Sequence, residues 1–447
     1  MNKLIAIFKN KDIRDRILFT LGIVLIFRIG ASISVPGVTI SSDAMDTTNV
    51  LAMMNLMGGG ALQNFSLFAL GVSPYITSSI IIQLLSMDVL PALTELSKQG
   101  QTGRKKIEMA TRYLTLVLGA VQAYGITVTM QNSDSITLDS TGFWAYAKLV
   151  IILIAGSMLV MWLADQITTK GIGNGVSMII FIGIISSLPT QIYSAINFFF
   201  EQELLTGDIG LIIGGGVKVL IYILAYLLII LFVAFVEKSV RKIPVQHSNK
   251  GGALNQKVNN TSFLPIKINS AGVIPVIFAS SLMMAPAVIV SFAMEKTNPV
   301  IDNILKIFTN SEMVEMPWFN GESWYMPWGL IIYIILTFAF SFFYSNLTIN
   351  PERLAEDFQK SGSYIPGIRP GNETRRYIQK VLNRVTFIGA TALTLIAALP
   401  IVLTLCKVVP QSLALGGTGM IIVVGVALEV MNQINGLLAS NEHANVI

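Results

Sequence analysis

The sequence lacks most of what an enzyme of this length would use. Among its 447 residues there is one cysteine, Cys406, and two histidines, His247 and His443. A single cysteine excludes an internal disulfide. Both histidines fall in segments read below as cytoplasmic, so no His-based zinc site or catalytic triad forms within the apolar segments. No Walker sequence is present for ATP hydrolysis, and no pair of aspartates in the apolar segments suggests an aspartyl protease. Charge is scarce too. Only 12% of residues are charged, against roughly 25% in soluble domains. So little charge cannot clothe a water-facing surface of this size. The chain reads as a non-enzyme, and anything it moves must draw energy from a partner.

What is present is apolar. Hydrophobic residues make up 53% of the chain, and the mean hydropathy is +0.67. A bilayer core of about 30 Å takes about 20 apolar residues per helix. Ten segments meet that need, at residues 17–35, 67–87, 111–131, 148–164, 176–198, 217–236, 270–294, 328–349, 382–405 and 416–439. The basic N-terminal stretch has no cleavage-type ending before a longer apolar run. The first segment therefore reads as a retained span rather than a signal peptide.

The net charge is +5, and its placement sets the orientation. Lys3, Lys9, Lys11, Arg14 and Arg16 precede the first span, and the loops after the second, sixth and eighth spans are rich in Lys and Arg. The opposite loops hold only Lys296, Lys306 and Lys407 among basic residues, beside acids such as Asp43, Asp134 and Glu201. The positive-inside rule then puts the N-terminus in the cytoplasm, and an even number of spans returns the C-terminus there.

Several breaks interrupt the apolar pattern. After Val35-Pro36-Gly37 comes a polar stretch, then Met57-Gly58-Gly59-Gly60-Ala61-Leu62 and a short segment to Ser66. It reads as an external loop, or as irregular backbone lining a cavity at membrane depth. In the second span Pro74 suits a helix start. Thr77, Ser78 and Ser79 suit close helix contact, and Ile76 and Ile80 share a face. Gly171-Ile172-Gly173-Asn174-Gly175-Val176 has valine where a phosphate-binding loop needs glycine and follows no strand, so it reads as a tight turn between helices. Pro275 and Pro286 are expected to kink or loosen the seventh span. Arg28 and Glu429 lie within spans, where a charge faces the protein interior or snorkels to an interface.

These motifs, in this order, resemble the bacterial SecY family, the channel-forming subunits of the Sec translocon. The carrying residues include Arg28-Ile29-Gly30, Phe68 to Ile76, Gly171 to Gly175, Lys267-Ile268-Asn269 and Ala271 to Pro275. Ile365 to Gly371 and Gly416-Gly417-Thr418 complete them. The resemblance implies an all-α membrane protein of ten spans in two inverted, pseudo-symmetric halves, residues 1–206 and 207–447, around an hourglass channel. It implies a pore ring of Ile76, Ile80, Val176, Ile180, Ile277 and Ile422, and a plug at about residues 58–66 that includes Gly60, Ala61, Leu62, Asn64 and Phe65.

The resemblance further implies a lateral gate between the second and seventh spans. Two basic cytoplasmic loops, residues 237–269 and 350–381, would dock the ribosome or the SecA motor through Arg241, Lys242, Lys250, Arg369, Arg375 and Arg376. SecE and SecG would be partner subunits, signal peptides and unfolded polypeptides the clients, and the bacterial plasma membrane the location. No cofactor is implied. Departures from the family include Val176 where isoleucine is common and a loss of aromatic and basic character at His247 and Asn249. A secondary transporter for a small solute is the competing reading, but it needs a polar site at mid-membrane. A membrane-embedded enzyme comes third, for want of catalytic groups.

Overall fold

The computed structural model describes residues 10–40, 55, 58–86, 90–132, 136–138, 142–204, 209–247, 262–293, 307–308, 313–317, 323–406 and 411–444. Ten of its helices correspond to the expected spans: α1 (Lys11–Ser32), α2 (Ser73–Leu85), α4 (Gly100–Asn132), α5 (Phe143–Lys170) and α6 (Gly175–Leu204), then α7 (Ile209–Lys238), α8 (Ile274–Ala293), α9 (Trp328–Thr348), α11 (Asn372–Leu405) and α12 (Gln411–Ala444). Two short helices, α3 (Pro91–Lys98) and α10 (Pro351–Lys360), lie in connections. By length and composition, seven described helices can cross a membrane, and two shorter apolar ones are the second and seventh spans. Along α7 the leucines at 220, 224, 228 and 231 are exposed, as is Phe235. Such a surface is stable only where lipid or another helix covers it.

Helix neighbours repeat between the halves. In the first, α2 packs on α4, α4 on α5, α5 on α6, and α1 on α5 and α6. In the second, α8 packs on α9, α9 on α11, α11 on α12, and α7 on α11 and α12. The five-helix unit is thus built twice. The halves meet where α8 lies against α2 and α4, and where α6 lies against α7 and α12.

A local motif is also built twice. The second span was expected to begin at residue 67, yet residues 67–72 run through successive turns and the helix starts at Ser73. Gly71 adopts φ 53°, which only glycine accepts readily, and Pro74 then fits the first turn, where its missing N–H has no partner to lose. Gly272 (φ 64°) and Pro275 play the same parts before α8. Pro275 therefore opens its helix, against the expectation of a kink, whereas Pro286 lies inside it. Six residues ahead of each helix, a backbone carbonyl presses on a glycine. A methyl group on Gly156 of α5 would sit 1.8 Å from the Leu67 oxygen, and one on Gly389 of α11 2.3 Å from the Ile268 oxygen.

The connections carry short strands. β1 (Val38–Ile40) pairs with β2 (Ile136–Leu138), antiparallel. β5 (Val314–Pro317) and β6 (Ser323–Met326) form a hairpin between α8 and α9. β3 (Val240–His247) pairs on one side with β4 (Ser262–Lys267) and on the other with β7 (Ser363–Tyr364), giving the order β4-β3-β7. One three-stranded sheet therefore joins the two basic loops, with its own core of Ile243, Ile266, Ile365, Ile378, Leu382 and Val385.

Candidate functional site

The main core is a single apolar cluster fed by both halves. Ile76 and Ile80 of α2, Ile180 of α6, Ile277 of α8 and Ile422 of α12 are all buried in it, and Val176 packs against it. The helix period explains the pairing within elements, since residues four apart share a face. Ile76 and Ile80 are one turn apart at the start of α2, and Val176 and Ile180 likewise open α6. The structure thus brings the six residues from four helices into one apolar body. Among the described residues, the buried polar side chains are Ser, Thr, Asn and Gln, with no acid or base.

Residues 58–66 belong to the same body. They run through turns, held by the Ser66 N–H to the Ala61 carbonyl and the Phe65 N–H to the Leu62 carbonyl, both at 2.9 Å. Phe65 takes φ 36°, a conformation costly for a side chain of its size. Tertiary contacts hold it there. The Val35 N–H donates to the Phe65 carbonyl at 3.0 Å, the Leu67 N–H donates to the Ile33 carbonyl at 3.0 Å, and Ser34 bridges Ser66. Ala61, Leu62 and Phe65 are buried in the cluster, Gly60 is half-buried, and Asn64 is exposed. The segment is irregular backbone, buried in protein at Ala61, Leu62, Phe65 and Ser66 and exposed at Gln63 and Asn64.

The glycine turn is a junction. The Ile172 N–H donates to Thr20 Oγ1 of α1 at 3.1 Å, the Gly175 N–H to Thr168 Oγ1 of α5 at 2.9 Å, and the Gly173 N–H to Gln433 Oε1 of α12 at 2.5 Å. Asn174 caps α6 through Oδ1, which accepts from the Val176 N–H.

The basic candidates separate into two groups. Arg241 and Lys242 lie exposed on β3, and Arg369 is exposed in the turn after β7; among the described residues none of the three forms an ion pair. The Arg369 carbonyl accepts from Thr374 Oγ1 at 2.9 Å, which ties the turn to the start of α11. Arg375 pairs with Glu352 at 3.0 Å and Arg376 with Glu373 at 3.7 Å. Lys250 lies outside the described residues.

Comparison with known proteins decides the lineage. The family model described as SecY matches residues 66–431. The chain belongs to the SecY family. It is 42% identical over 441 residues to the protein translocase subunit SecY of Lactococcus lactis subsp. lactis, covering 98% of this chain and 96% of that one. It is 41% identical over 434 residues to the corresponding Bacillus subtilis subunit, covering 97% of this chain and 96% of that one. Among solved structures, one described as "The structure of a protein conducting channel" matches 94% of this chain and 91% of its own, with a TM-score of 0.67 at 17% identity. Sec61 in a canine ribosome-channel complex matches the same shares with a TM-score of 0.63 at 16% identity. At that identity these two establish the fold: ten membrane helices in two pseudo-symmetric halves.

Sequence reasoning missed the repeated entry to the second helix of each SecY half. Gly71-Val72-Ser73-Pro74 and Gly272-Val273-Ile274-Pro275 share Gly-Val-x-Pro, a signal that was open to reading. It also missed Gln433, a single polar residue at a helix end that nothing in the pattern marks out.

Proposed function

We propose that this chain is the protein-conducting channel of a secretory translocon, passing unfolded polypeptides across the membrane and releasing apolar helices sideways into lipid. The observation that carries this reading is that Ile76, Ile80, Ile180, Ile277 and Ile422 are buried in the same apolar core as Ala61, Leu62 and Phe65. An apolar constriction excludes water and ions by dewetting. Branched aliphatic side chains can close on an extended peptide without stranding polar groups of their own. These five residues and Val176 form the ring in this reading, and residues 58–66 form the plug above it. The transporter alternative needs charged coupling groups buried at mid-membrane, whereas the buried core among the described residues is apolar and holds no acid or base.

The two functional halves divide at residues 206 and 207, between α6 and α7, and the repeated helix neighbours support that boundary. In this reading the membrane is a bacterial plasma membrane, and the distribution of lysine and arginine supports cytoplasmic termini. The β4-β3-β7 sheet then faces the cytoplasm, with Arg241 and Lys242 exposed on β3 and Arg369 exposed in the turn after β7. Ribosomal RNA and an acidic motor surface both attract exposed cations of this kind, so the ribosome and SecA dock here. SecE and SecG complete the complex. The chain itself performs no chemistry.

The test of the ring is ion conductance in planar bilayers. Ile80→Ser with Ile277→Ser is expected to raise closed-state conductance by about tenfold or more; conductance equal to the parent's refutes the ring. For docking, Arg369→Glu is expected to cut motor-driven precursor transport severalfold, and Arg375→Glu less, because Arg375 already has a carboxylate partner. Equal effects would remove Arg369 from its special role.

A further inference from the structure

The last turns of α1 carry a guanidinium where the surroundings are mostly apolar. Nη1 of Arg28 donates to the Gly59 carbonyl at 2.8 Å and to Ser186 Oγ at 2.8 Å. Among the described residues Arg28 has no carboxylate partner. A charge within a membrane helix is costly, and such residues face protein partners and serve function more often than packing. Here the partner is backbone of the irregular segment. Gly59 lies outside any helix, so its carbonyl needs a donor from elsewhere, and a charged donor makes the stronger bond.

The seat is shaped for it. A methyl group on Gly59 would lie 2.7 Å from the Gly183 Cα, so the two backbones touch at a glycine pair on α6. Ser186 is three residues further along the same helix and hydrogen-bonds the Gly183 carbonyl at 2.9 Å. Arg28, Gly59, Gly183 and Ser186 thus form one contact joining α1, the segment at 58–66 and α6. All of these elements belong to the first half, so separation of α8 from α2 leaves the contact whole.

We propose that Arg28 is a positioning residue for the plug: its two hydrogen bonds pin Gly59 to α6 and hold the plug seated in the closed channel. This rests on the channel reading above. Loss of the guanidinium leaves the Gly59 carbonyl without its charged donor and lets residues 60–66 leave the core more often.

The test uses the full chain in vesicles with Cys406→Ser and Ala61→Cys, since Ala61 is fully buried. A membrane-impermeant maleimide is added from the outer side, and precursor transport is measured in the same vesicles. Arg28→Gln is expected to speed labelling about tenfold or more, the low end of what losing a charge-assisted hydrogen bond does to an equilibrium. Arg28→Lys, which keeps a cationic donor, should stay within about threefold of the parent, and Ser186→Ala should fall between. Labelling of Arg28→Gln within about twofold of the parent, or a lysine variant as fast as the glutamine one, overturns the proposal.

A cysteine at Leu153, buried in α5, reports the fold. If Arg28→Gln makes that site reactive the variant has misfolded, and Ser186→Ala decides: faster labelling at Ala61→Cys supports the pin, and an unchanged rate overturns it. A parent chain that moves no precursor overturns the channel reading alone. Normal transport with unchanged labelling overturns only the role of Arg28.

Discussion

Where α8 lies against α2 and α4, the hydroxyl groups look inward to their own helices. Thr77 Oγ1 donates to the Ser73 carbonyl at 3.1 Å, Ser78 Oγ to Pro74 at 2.8 Å, Thr127 Oγ1 to Ala123 at 2.8 Å and Ser280 Oγ to Val276 at 2.9 Å. Small side chains let the helices approach, yet these bonds do not cross between them. A bond from Tyr344 to Gln83 joins α9 to α2, with Phe278 edge-on to the Tyr344 ring at 5.0 Å. Where α6 lies against α12, by contrast, a backbone N–H at Gly173 is committed to Gln433 of the other half. Each seam thus carries a hydrogen bond between the halves, side chain to side chain at the first and backbone to side chain at the second. In the channel reading proposed above, the first seam is the one that parts as a lateral gate and the second is the hinge.

Locking each seam gives the largest effect. With Cys406→Ser, cysteines at Gln83 and Tyr344 joined by a short bifunctional maleimide should reduce precursor transport more than tenfold. Cysteines at Met178 and Val430, whose side chains both border Gly173, should leave it within about twofold when joined. Equal inhibition would erase the distinction between gate and hinge. Next comes Gly389→Ala, whose methyl meets the Ile268 carbonyl oxygen. Overpacking of this kind costs about 1–3 kcal/mol. It should appear as a lowered thermal midpoint in detergent, with Gly156→Ala behaving alike if the halves are equivalent.

A smaller loss is expected from Gln433→Ala, about 1 kcal/mol for one hydrogen bond, measured by the same melt. Smallest is the pair Gln83→Leu with Tyr344→Phe. Replacing both partners by apolar groups of similar shape is close to neutral, so transport should stay within about twofold. A large loss would mean that the gate seam depends on that bond.

The spans were legible because hydropathy alone finds segments of membrane length. Their ends were not. α4 starts at Gly100 and α11 at Asn372, well before the apolar stretches expected at residues 111 and 382, because these helices continue into polar surroundings. Residues 67–72 are apolar yet not helical, since Gly71 turns the chain before Pro74 can start the helix. The six residues assigned to the ring were named from motif position; five of them are buried in one apolar core and Val176 packs against it. The pairing of Gln246 with Tyr364, which unites two loops in a sheet, spans too much sequence for any local pattern to reveal. Arg28 stood out as a charge in a span, but its partners, Gly59 and Ser186, are defined only by the folded chain.

The central claim is that a polypeptide passes through the apolar core shared by the two halves. A photoreactive residue placed at Ile80 or Ile277 tests it directly, with a secretory precursor stalled partway across the membrane. Strong crosslinks from both positions to the precursor, absent when no precursor is engaged and weak from the exposed Leu228 on the outer face of α7, are the predicted result. Crosslinks from Leu228 but none from Ile80 or Ile277 would place the path outside this core and contradict the account.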